Sequence, residues 1–341
     1  MSKGKAIIFR GYMAIGDALY TSALPRLMKE DGYEQVDVAV WQSNQHVFWN
    51  NPYVDNIRVF PNDLTETEFE YYYNKWNEEY DVIVDLRWTI ESKYLFRTDA
   101  PLPPIEERKE KNKGKNYYRV TMEVAGYKVD KGKPELYLSD EEEKLLNEFK
   151  KENPKFVIWQ LYGSSNAKQL VRAPIWITEI MKQVPDYKHY LVGNAHFSTK
   201  RLFGSDNVKC VAGIWGLRTS MLMCKYANLV VGPESAITNA SGAFDTPKFI
   251  MYSGVLPENL GGDFENHYGF CPKCECYPCY KISISPKEVW NLKKRKLAYA
   301  NMEECRVKDP FDCYRYLGFK CTLSLPEQEI IEKAVDILKH S

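Results

Sequence analysis

Short apolar runs alternate with helix-like segments along this chain, and this alternation constrains the fold more than any other feature. KAIIFRG at 5–11 precedes a helix-like segment from about Asp17, VDVAVW follows at 36–41, and YDVIVDLR lies at 80–87. Strand, helix and strand at this spacing predict a parallel sheet, because parallel strands need a crossover connection. The run VIVDL is nearly all apolar, as expected of a strand that helices cover on both faces.

The same alternation starts again in the second half of the chain. Its strand-like runs are KFVIWQL at 155–161, HYLVGN at 189–194, KCVAGI at 209–214 and ANLVVG at 227–232. A chain of 341 residues suits about two domains of roughly 150 residues each. We therefore predict an α/β protein with two Rossmann-like lobes, each built on a doubly wound parallel sheet. Ligands of such sheets bind beyond the carboxyl ends of the strands, which predicts a binding cleft between the lobes.

The connecting segments set the predicted domain boundaries. Ser139 and Glu142 form a Ser-x-x-Glu capping box, which predicts a helix over 140–151. The segment 101–115 is rich in proline and charge and has no apolar period, so we predict a loop there. A last helix should begin at Pro326 and carry its apolar residues on one broad face. The predicted domains are 1–150, 151–325 and 326–341.

The charge balance excludes a general attraction to polyanions. Lysine plus arginine and aspartate plus glutamate both total 46, so no global field recruits nucleic acid or an anionic membrane. The start MSKGKAIIFRGY has no apolar core of a signal peptide, and no later stretch approaches the ~20 apolar residues of a membrane span. We expect a soluble, cytoplasmic protein without a transmembrane segment.

Most of the cysteines crowd into a late insertion over 270–321. Of nine in the chain, seven lie there: Cys271, Cys274, Cys276, Cys279, Cys305, Cys313 and Cys321. In CPKCECYPC two Cys-x-x-Cys pairs interleave, and thiolates at this spacing chelate tetrahedral zinc together with two more sulfurs. Such a site would be structural and would order a segment with little apolar pattern. An iron–sulfur cluster, or free or disulfide-linked cysteines, are the alternatives, and the spacing does not decide which four sulfurs bind.

One carboxylate, Asp17, stands in the first predicted strand-to-helix connection. This connection should face the predicted cleft, and Asp17 lies near the amino end of its helix, where the helix dipole favours an ionised acid. An ionised acid that points into a cleft can serve as a base. The alternative interpretation is that Asp17 only caps the helix.

A second constellation follows the strand-like run ANLVVG. Glu234, Ser235 and Ala236 lead from a Gly-Pro pair into a helix of small residues. Small residues let the amino end of a helix approach a ligand, so its backbone N–H groups can hold a diphosphate, and Glu234 could accept ribose hydroxyls. The alternative is a helix packed tightly on the sheet with Glu234 as its cap. The stretch lacks the Gly-x-Gly-x-x-Gly spacing of a nicotinamide site.

Four blocks of the sequence resemble glycosyltransferase family 9, the family of the heptosyltransferases. The blocks are GYMAIGDALYTSALPRLMKE at 11–30, NPYVDNIRVF at 51–60, YDVIVDLRW at 80–88 and ANLVVGPESAITNASGAFDTPKFIMYSG at 227–254. They resemble the family's Gly-Asp start, its Asn-Pro and Tyr-Asp segments, and its Asp-Ser-Gly-x-x-His block. Because the blocks keep the family's order over nearly the whole chain, together they are more specific than any one motif.

The resemblance implies a fold and a reaction. The fold is GT-B, with an acceptor lobe, a nucleotide-sugar lobe and a carboxy-terminal helix that crosses back to the first lobe. The reaction is inverting, metal-independent transfer of a sugar from a nucleotide-diphosphate sugar to a hydroxyl of a glycan or lipopolysaccharide-core-like acceptor. Asp17 matches the family's proposed base. Glu234, Ser235 and Ala236 match its donor-binding positions.

The resemblance also suggests two cations for the donor diphosphate. Lys168 is the nearest match to the family's lysine at this place, and Arg172 is its rival because the spacing to Trp176 is longer than usual. Either cation would offset charge on the leaving nucleotide diphosphate, and either would otherwise be a solvated loop charge. Asp85 and Arg87, at the carboxyl end of a predicted strand, could contact acceptor hydroxyls or phosphate, or form a structural salt bridge.

The donor block departs from the family at three positions. Glu234 replaces an aspartate, Ala236 a glycine and Asn239 a histidine, although Asn239 still offers donor and acceptor groups. These replacements change contacts to the donor. They leave the sugar and the nucleotide open.

Two other functions compete with sugar transfer to a glycan. The basic stretches KEKNKGKNYYR at 109–119 and KKRK at 293–296 could follow a phosphate backbone, which would suit a glycosyltransferase for modified DNA bases. Solvated loops would show the same composition. The altered Glu-Ser-Ala motif also allows a nucleotide-sugar-binding protein without catalytic activity.

Overall fold

Two parallel sheets are built from the apolar runs of the sequence. In a computed structural model, the chain divides into a first unit of Met1–Ile90 with Asn116–Leu145 and a second unit of Glu91–Lys115 with Leu146–Ser341. The described residues are 3–10, 14–60, 66–87, 89–90, 93–97, 103–163, 166–193, 203–282 and 319–341.

The strands and helices of the described ranges follow each other along the chain as listed here. The strands are β1 (Lys5–Phe9), β2 (Gln35–Trp41), β3 (Asn56–Phe60), β4 (Val82–Asp85), β5 (Phe96–Arg97), β6 (Phe156–Gln160), β7 (Lys188–Val192), β8 (Val208–Cys210), β9 (Leu229–Pro233), β10 (Lys248–Met251), β11 (His267–Phe270) and β12 (Lys281–Ile282). The α-helices are α1 (Ile15–Thr21), α2 (Leu24–Glu30), α3 (Glu66–Glu79), α4 (Ile105–Asn112), α5 (Tyr117–Val124), α6 (Asp140–Glu152), α7 (Ala173–Gln183), α8 (Leu217–Leu222), α9 (Ala236–Ser241), α10 (Phe319–Leu323) and α11 (Glu327–Lys339).

The first unit carries a parallel sheet in the order β3-β2-β1-β4. Aromatic rings of α3 cover one face of it: the ring of Phe9 lies 4.8 Å from that of Phe69 and 5.2 Å from that of Trp76, between centroids. Because β1 and β4 are parallel neighbours, the chain leaves Phe9 and Asp85 at the same carboxyl edge. Asp17, in the helix after β1, and Asp85, the last residue of β4, are therefore both at the carboxyl edge of this sheet.

The second unit carries a larger parallel sheet in the order β11-β10-β9-β6-β7-β8. Its core includes the fully buried rings of Trp159, Trp176 and Phe249. Strands β6 and β9 are neighbours in the middle of the sheet, so the connections after them emerge side by side. Lys168 lies in the connection after β6, and Glu234 directly after β9. The sequence prediction of two α/β units with parallel sheets is confirmed.

The C-terminal helix α11 belongs to the core of the second unit. The buried apolar side chains of this helix share one hydrophobic cluster with α7: Ile330, Ile331, Ala334, Val335 and Leu338. The indole N–H of Trp176 donates to Glu327 Oε2 at 2.8 Å, and the hydroxyl of Tyr187 donates to the Leu338 carbonyl at 2.7 Å. The apolar face that the sequence predicts is thus buried in the second unit, whereas the resemblance implied a helix that crosses to the first.

The segment 101–115 contains a helix, so the prediction of a loop there is wrong. Helix α4 starts after Pro104, and its two buried side chains are polar. Arg108 Nη1 donates to the carbonyl of Cys279 at 2.6 Å, and Asn112 Nδ2 donates to the carbonyl of Tyr94 at 2.9 Å. These contacts, with the short ladder between β5 and β12, attach 91–115 to the second unit and not to a first domain of 1–150.

The capping box at 139–142 forms as the sequence predicts. Glu142 Oε2 accepts from the backbone N–H of Ser139 at 3.0 Å, and Ser139 Oγ accepts from that of Glu142 at 3.1 Å. Helix α6 follows directly. No helix in the described ranges combines the length and the apolar character that a membrane crossing requires.

Candidate functional site

Glu234 is a carboxylate buried at the carboxyl edge of the second sheet. It follows Pro233, the last residue of β9, where the chain turns toward α9, and its side chain is only 3% exposed. Its Oε1 accepts from the hydroxyl of Ser253 at 2.9 Å and from the backbone N–H of Gly254 at 3.2 Å. Both donors come just after β10, the parallel neighbour of β9, so the register of the sheet brings them beside the carboxylate.

Two buried acceptor atoms in this part of the chain have no hydrogen-bond partner among the described residues. They are Oε2 of Glu234 and Oδ1 of Asn239 in α9. Buried polar atoms are nearly always satisfied, so these two atoms are candidate acceptors for a hydrogen-bond donor from water or a ligand. Burial raises the pKa of Glu234 above its usual value, and the charge of Lys168 and the hydrogen bond from Ser253 oppose that rise.

Lys168 brings a positive charge to this carboxylate. It ends a one-turn 3₁₀ helix, Asn166–Lys168, and its Nζ lies 3.9 Å from Glu234 Oε1. The Lys168 carbonyl accepts from the N–H of Gly163 at 2.8 Å, and a Cβ added to Gly163 would lie 2.6 Å from Lys168 Cβ. The glycine thus allows the close approach that holds Lys168. Its side chain is 30% exposed, so the ammonium group can also contact an anionic ligand.

Gln160 is a residue of this site that the sequence analysis missed. It ends β6, its Nε2 donates to Ser235 Oγ at 3.1 Å, and its Oε1 accepts from the backbone N–H of Ile237 at 3.2 Å. The N–H of Ser235 in turn donates to Thr238 Oγ1 at 3.1 Å. Two N–H groups that could have held a diphosphate are therefore already bonded within the protein. The one signal was a polar residue at the end of an otherwise apolar run, FVIWQ.

Arg172, the rival of Lys168, is engaged elsewhere in the second unit. Its Nε lies 2.8 Å from Glu327 Oε1, and the same carboxylate binds the indole of Trp176. Arg172 thereby ties the start of α7 to the first turn of α11. Of the two candidate cations, Lys168 is the one that the structure brings to Glu234.

Asp17 lies in the first turn of α1 and contacts Ala14 and Arg10 in the first unit. Its Oδ2 accepts from the backbone N–H of Ala14 at 3.1 Å, and its Oδ1 lies 3.7 Å from Nη2 of Arg10. Arg10 is buried and also donates from Nη1 to the carbonyl of Leu86, just after β4. Asp17 therefore does cap its helix, and its side chain is still 22% exposed at the carboxyl edge of the sheet.

Asp85 and Arg87 form a bidentate ion pair with each other. Arg87 Nε lies 2.9 Å from Oδ1 and 3.0 Å from Oδ2 of Asp85, and Arg87 Nη2 also donates to Oδ2. The guanidinium stacks on Phe69, with Cζ 4.3 Å from the ring centroid. These contacts are those of the structural salt bridge that the sequence left open. Contact with an acceptor stays a prediction.

Solved structures of family 9 glycosyltransferases share this architecture. The chain is similar to the glycosyl transferase family 9 protein of Veillonella parvula DSM 2008, with 12% identity, a TM-score of 0.65 and coverage of 100% of this chain and 99% of that one. It is also similar to the ADP-heptose lps heptosyltransferase II of E. coli, with 16% identity, a TM-score of 0.55 and coverage of 86% and 98%. The chain has the family 9 glycosyltransferase fold. The expected GT-B class is thereby confirmed.

Comparison of sequences does not identify the activity of this chain, so the activity has to be inferred from its residues. The sequence matches no family model and no curated protein. Identities of 12% and 16% show the fold, which many chemistries can share.

Five of the seven clustered cysteines lie within the described residues, and Cys305 and Cys313 lie outside them. Three of the five are close together: Cys274 Sγ is 3.8 Å from Cys276 Sγ and 3.9 Å from Cys321 Sγ. Hydrogen bonding with these two neighbouring thiols lowers the pKa of Cys274. Within the described ranges, no set of three or more histidine, cysteine, aspartate and glutamate side chains converges as the ligands of a bound metal do.

Several side chains of the basic stretch 109–119 have partners or are buried within the protein. Lys109 pairs with Glu106, and Lys113 with Glu110, within α4 and just after it. The aromatic residues of the stretch are buried: Tyr117 and Tyr118 are each 1% exposed, so their rings cannot stack on bases. The other basic run, 293–296, lies outside the described residues.

Proposed function

We propose that the chain is a heptosyltransferase-like glycosyltransferase that moves a sugar from a nucleotide-diphosphate sugar to a hydroxyl group. The observation that carries the proposal is the buried carboxylate of Glu234, which lies beside Lys168 and leaves its Oε2 without a partner in the described residues of a family 9 fold. The unpartnered Oδ1 of Asn239 in the following helix supports it. The acceptors suit the hydroxyl groups of a ribose or a sugar, and the lysine suits a phosphate.

In the proposed reaction Asp17 is the general base. Its carboxylate takes the proton of the acceptor hydroxyl while that oxygen forms a bond to the anomeric carbon of the donor. The bond from this carbon to the diphosphate oxygen breaks, and its electron pair leaves with the nucleoside diphosphate. Lys168 offsets the negative charge that develops on the leaving group. Attack opposite the leaving group inverts the anomeric configuration, and no metal takes part in the proposed step.

The proposed acceptor is a glycan or a lipopolysaccharide-core-like molecule. The support is the likeness to the E. coli protein, whose name includes ADP-heptose and lipopolysaccharide. Asp85 and Arg87 are the proposed acceptor contacts. Arg10 supports this, because it pairs with Asp17 and also binds the carbonyl of Leu86, which lies between the two residues.

The donor's nucleotide and sugar are found by a binding screen. Thermal unfolding is followed with ADP, UDP, GDP, CDP and dTDP and with their commercially available sugars. A ligand at 100 times its Kd adds about 2.7 kcal/mol to the stability, which is readily measured. At least one nucleoside diphosphate should raise the melting temperature of the wild type and raise that of Glu234→Ala much less. Equal shifts for the two proteins would contradict the proposed site.

Simple measurements distinguish two alternative functions from the proposed one. A glycosyltransferase for DNA would bind duplex DNA with an affinity that falls steeply as salt rises. The buried rings of Tyr117 and Tyr118 and the ion pairs of Lys109 and Lys113 speak against this. A binding protein without activity would bind the donor and never release free nucleoside diphosphate, even over long incubation.

A further inference from the structure

Cys279, in the cysteine-rich segment, lies close to the candidate donor site. A Cβ added to Gly254 would lie 3.8 Å from Glu234 Oε1 and 3.9 Å from Cys279 Sγ, so this glycine separates the carboxylate from a cysteine. The carbonyl of Gly254 accepts from the N–H of Tyr280 at 2.8 Å. The segment 271–280 therefore packs against Gly254, whose backbone N–H donates to Glu234.

The sulfur spacing matches the edges of a metal-thiolate tetrahedron. Zinc–sulfur bonds of about 2.3 Å in tetrahedral geometry give sulfur–sulfur edges of about 3.8 Å. The separations from Cys274 to Cys276 and to Cys321 are 3.8 and 3.9 Å. Two edges that share one corner are thus present, and Cys321 arrives from a distant part of the chain, in α10.

A fourth sulfur is available in the same place. Cys279 is buried and follows Cys276 at the Cys-x-x-Cys spacing that lets two thiolates bind one metal ion. Cys271, by contrast, accepts a hydrogen bond from the hydroxyl of Tyr277 at 3.1 Å. Cys279 is therefore the better fourth ligand.

We propose that four of these sulfurs bind one zinc ion as thiolates: Cys274, Cys276, Cys279 and Cys321. In the proposed site the four thiolates coordinate the ion tetrahedrally. Its binding joins α10 to the segment 271–280 and thereby fixes Gly254 beside Glu234. This last consequence rests on the proposed function, whereas the zinc site itself does not.

The test measures metal in the full-length chain purified under reducing conditions. Elemental analysis should give about one zinc per chain, and replacement by Co²⁺ should produce intense sulfur-to-cobalt charge-transfer absorption. Cys274→Ser, Cys276→Ser, Cys279→Ser and Cys321→Ser should each lower the zinc content at least tenfold. Cys210→Ser, at the end of β8, is the matched control and should keep the full equivalent.

The result that overturns the proposal is a wild-type chain without zinc after reconstitution. Iron with acid-labile sulfide, or a mass that shows disulfides among these cysteines, would overturn it equally. Loss of zinc in Cys271→Ser with retention in Cys279→Ser would overturn the ligand set. The cobalt spectrum of the wild type tests the site even where a serine variant does not fold.

The link to Glu234 is tested separately with a chelator. Removal of zinc should weaken binding of the nucleoside diphosphate at least tenfold, and added zinc should restore it. Unchanged affinity in the zinc-free protein would refute the link and leave the metal site intact. A zinc-loaded protein that binds no nucleoside diphosphate at all would instead refute the proposed function.

Discussion

The ammonium group of Lys168 lies 3.9 Å from Oε1 of Glu234, a carboxylate that is almost completely buried. Placing a carboxylate in such a position costs free energy unless its charge is compensated. The protein supplies hydrogen bonds from Ser253 and Gly254 and the charge of Lys168 to Oε1, and it leaves Oε2 without a partner in the described residues. This unbalanced arrangement is what we expect of a residue kept for a ligand.

Glu234→Gln should raise the stability of the protein at neutral pH. Burial raises the pKa of Glu234 in the folded state. A group with a raised folded pKa contributes its full stability below the unfolded value of 4.5 and loses it as the pH rises. The gain from glutamine should therefore be largest near pH 8 and should shrink as the pH falls toward 4.5. Urea unfolding of both proteins across this range measures it, and a gain that grows on acidification would contradict the account.

Lys168→Met should weaken binding of the nucleoside diphosphate by roughly 10- to 100-fold, because a hydrogen bond to a charged group contributes about 1.5–3 kcal/mol. Arg172→Met is the matched control. Since Arg172 pairs with Glu327, its loss should lower the free energy of unfolding by up to about 1 kcal/mol with little effect on affinity. Calorimetric titration of both variants decides between the two cations, and the reverse pattern would show that Arg172 binds the donor.

Gly232→Ala should destabilise the second unit by about 1–3 kcal/mol, the usual cost of overpacking. Gly232 lies in β9, and a Cβ there would lie 2.9 Å from Thr238 Cγ2 and 3.0 Å from Cβ of Gln160. Gln160 is the residue whose side chain binds the start of α9. Gly216→Ala is the control, because a Cβ there meets nothing within 4 Å. Because Gly216 is the N-cap of α8, where alanine is less favourable than glycine, denaturant unfolding should show a loss of at most about 1 kcal/mol for the control. Equal effects would mean that this packing does not matter.

His189 should make the second unit sensitive to acid. Burial lowers its pKa from 6.5 to about 4, and its Nδ1 accepts from the indole N–H of Trp159. A lowered folded pKa means that stability is present above the unfolded value of 6.5 and is lost as the pH falls toward 4, by up to about 3 kcal/mol. His189→Asn keeps an acceptor and cannot titrate, so its unfolding free energy should fall less between pH 7.5 and pH 5. Parallel slopes for the two proteins would exclude this role.

The sequence predicted most strands of the two sheets because their apolar runs report burial directly, and it missed the partly exposed edge strands β3 and β11. It missed α4 for the same reason: EERKEKN has no apolar period, and the buried face of this helix is made of Arg108 and Asn112. Those side chains are stable only because distant carbonyls, such as that of Cys279, accept their hydrogen bonds. Local pattern does not encode such partners.

In the candidate site, too, local sequence pattern identified some residues, and contacts with distant residues were needed to identify the others. Glu234 stood out in a motif, whereas Gln160 looked like part of a strand, and its role depends on the pairing of β6 with β9. The resemblance made Lys168 the nearest match and left Arg172 as its rival. In the structure Lys168 contacts Glu234, whereas Arg172 contacts Glu327 in α11, far along the chain. These contacts distinguish the two cations.

The most direct test of the central claim is the turnover of Asp17→Asn. Release of nucleoside diphosphate from the donor found in the binding screen is followed for the wild type, Asp17→Asn and the exposed control Asp130→Asn. Because a general base contributes typically 10²–10⁴-fold, kcat of Asp17→Asn should fall by about that factor while donor affinity stays unchanged, and the control should match the wild type. Full turnover by Asp17→Asn, or no release from any donor by the wild type, would contradict the account.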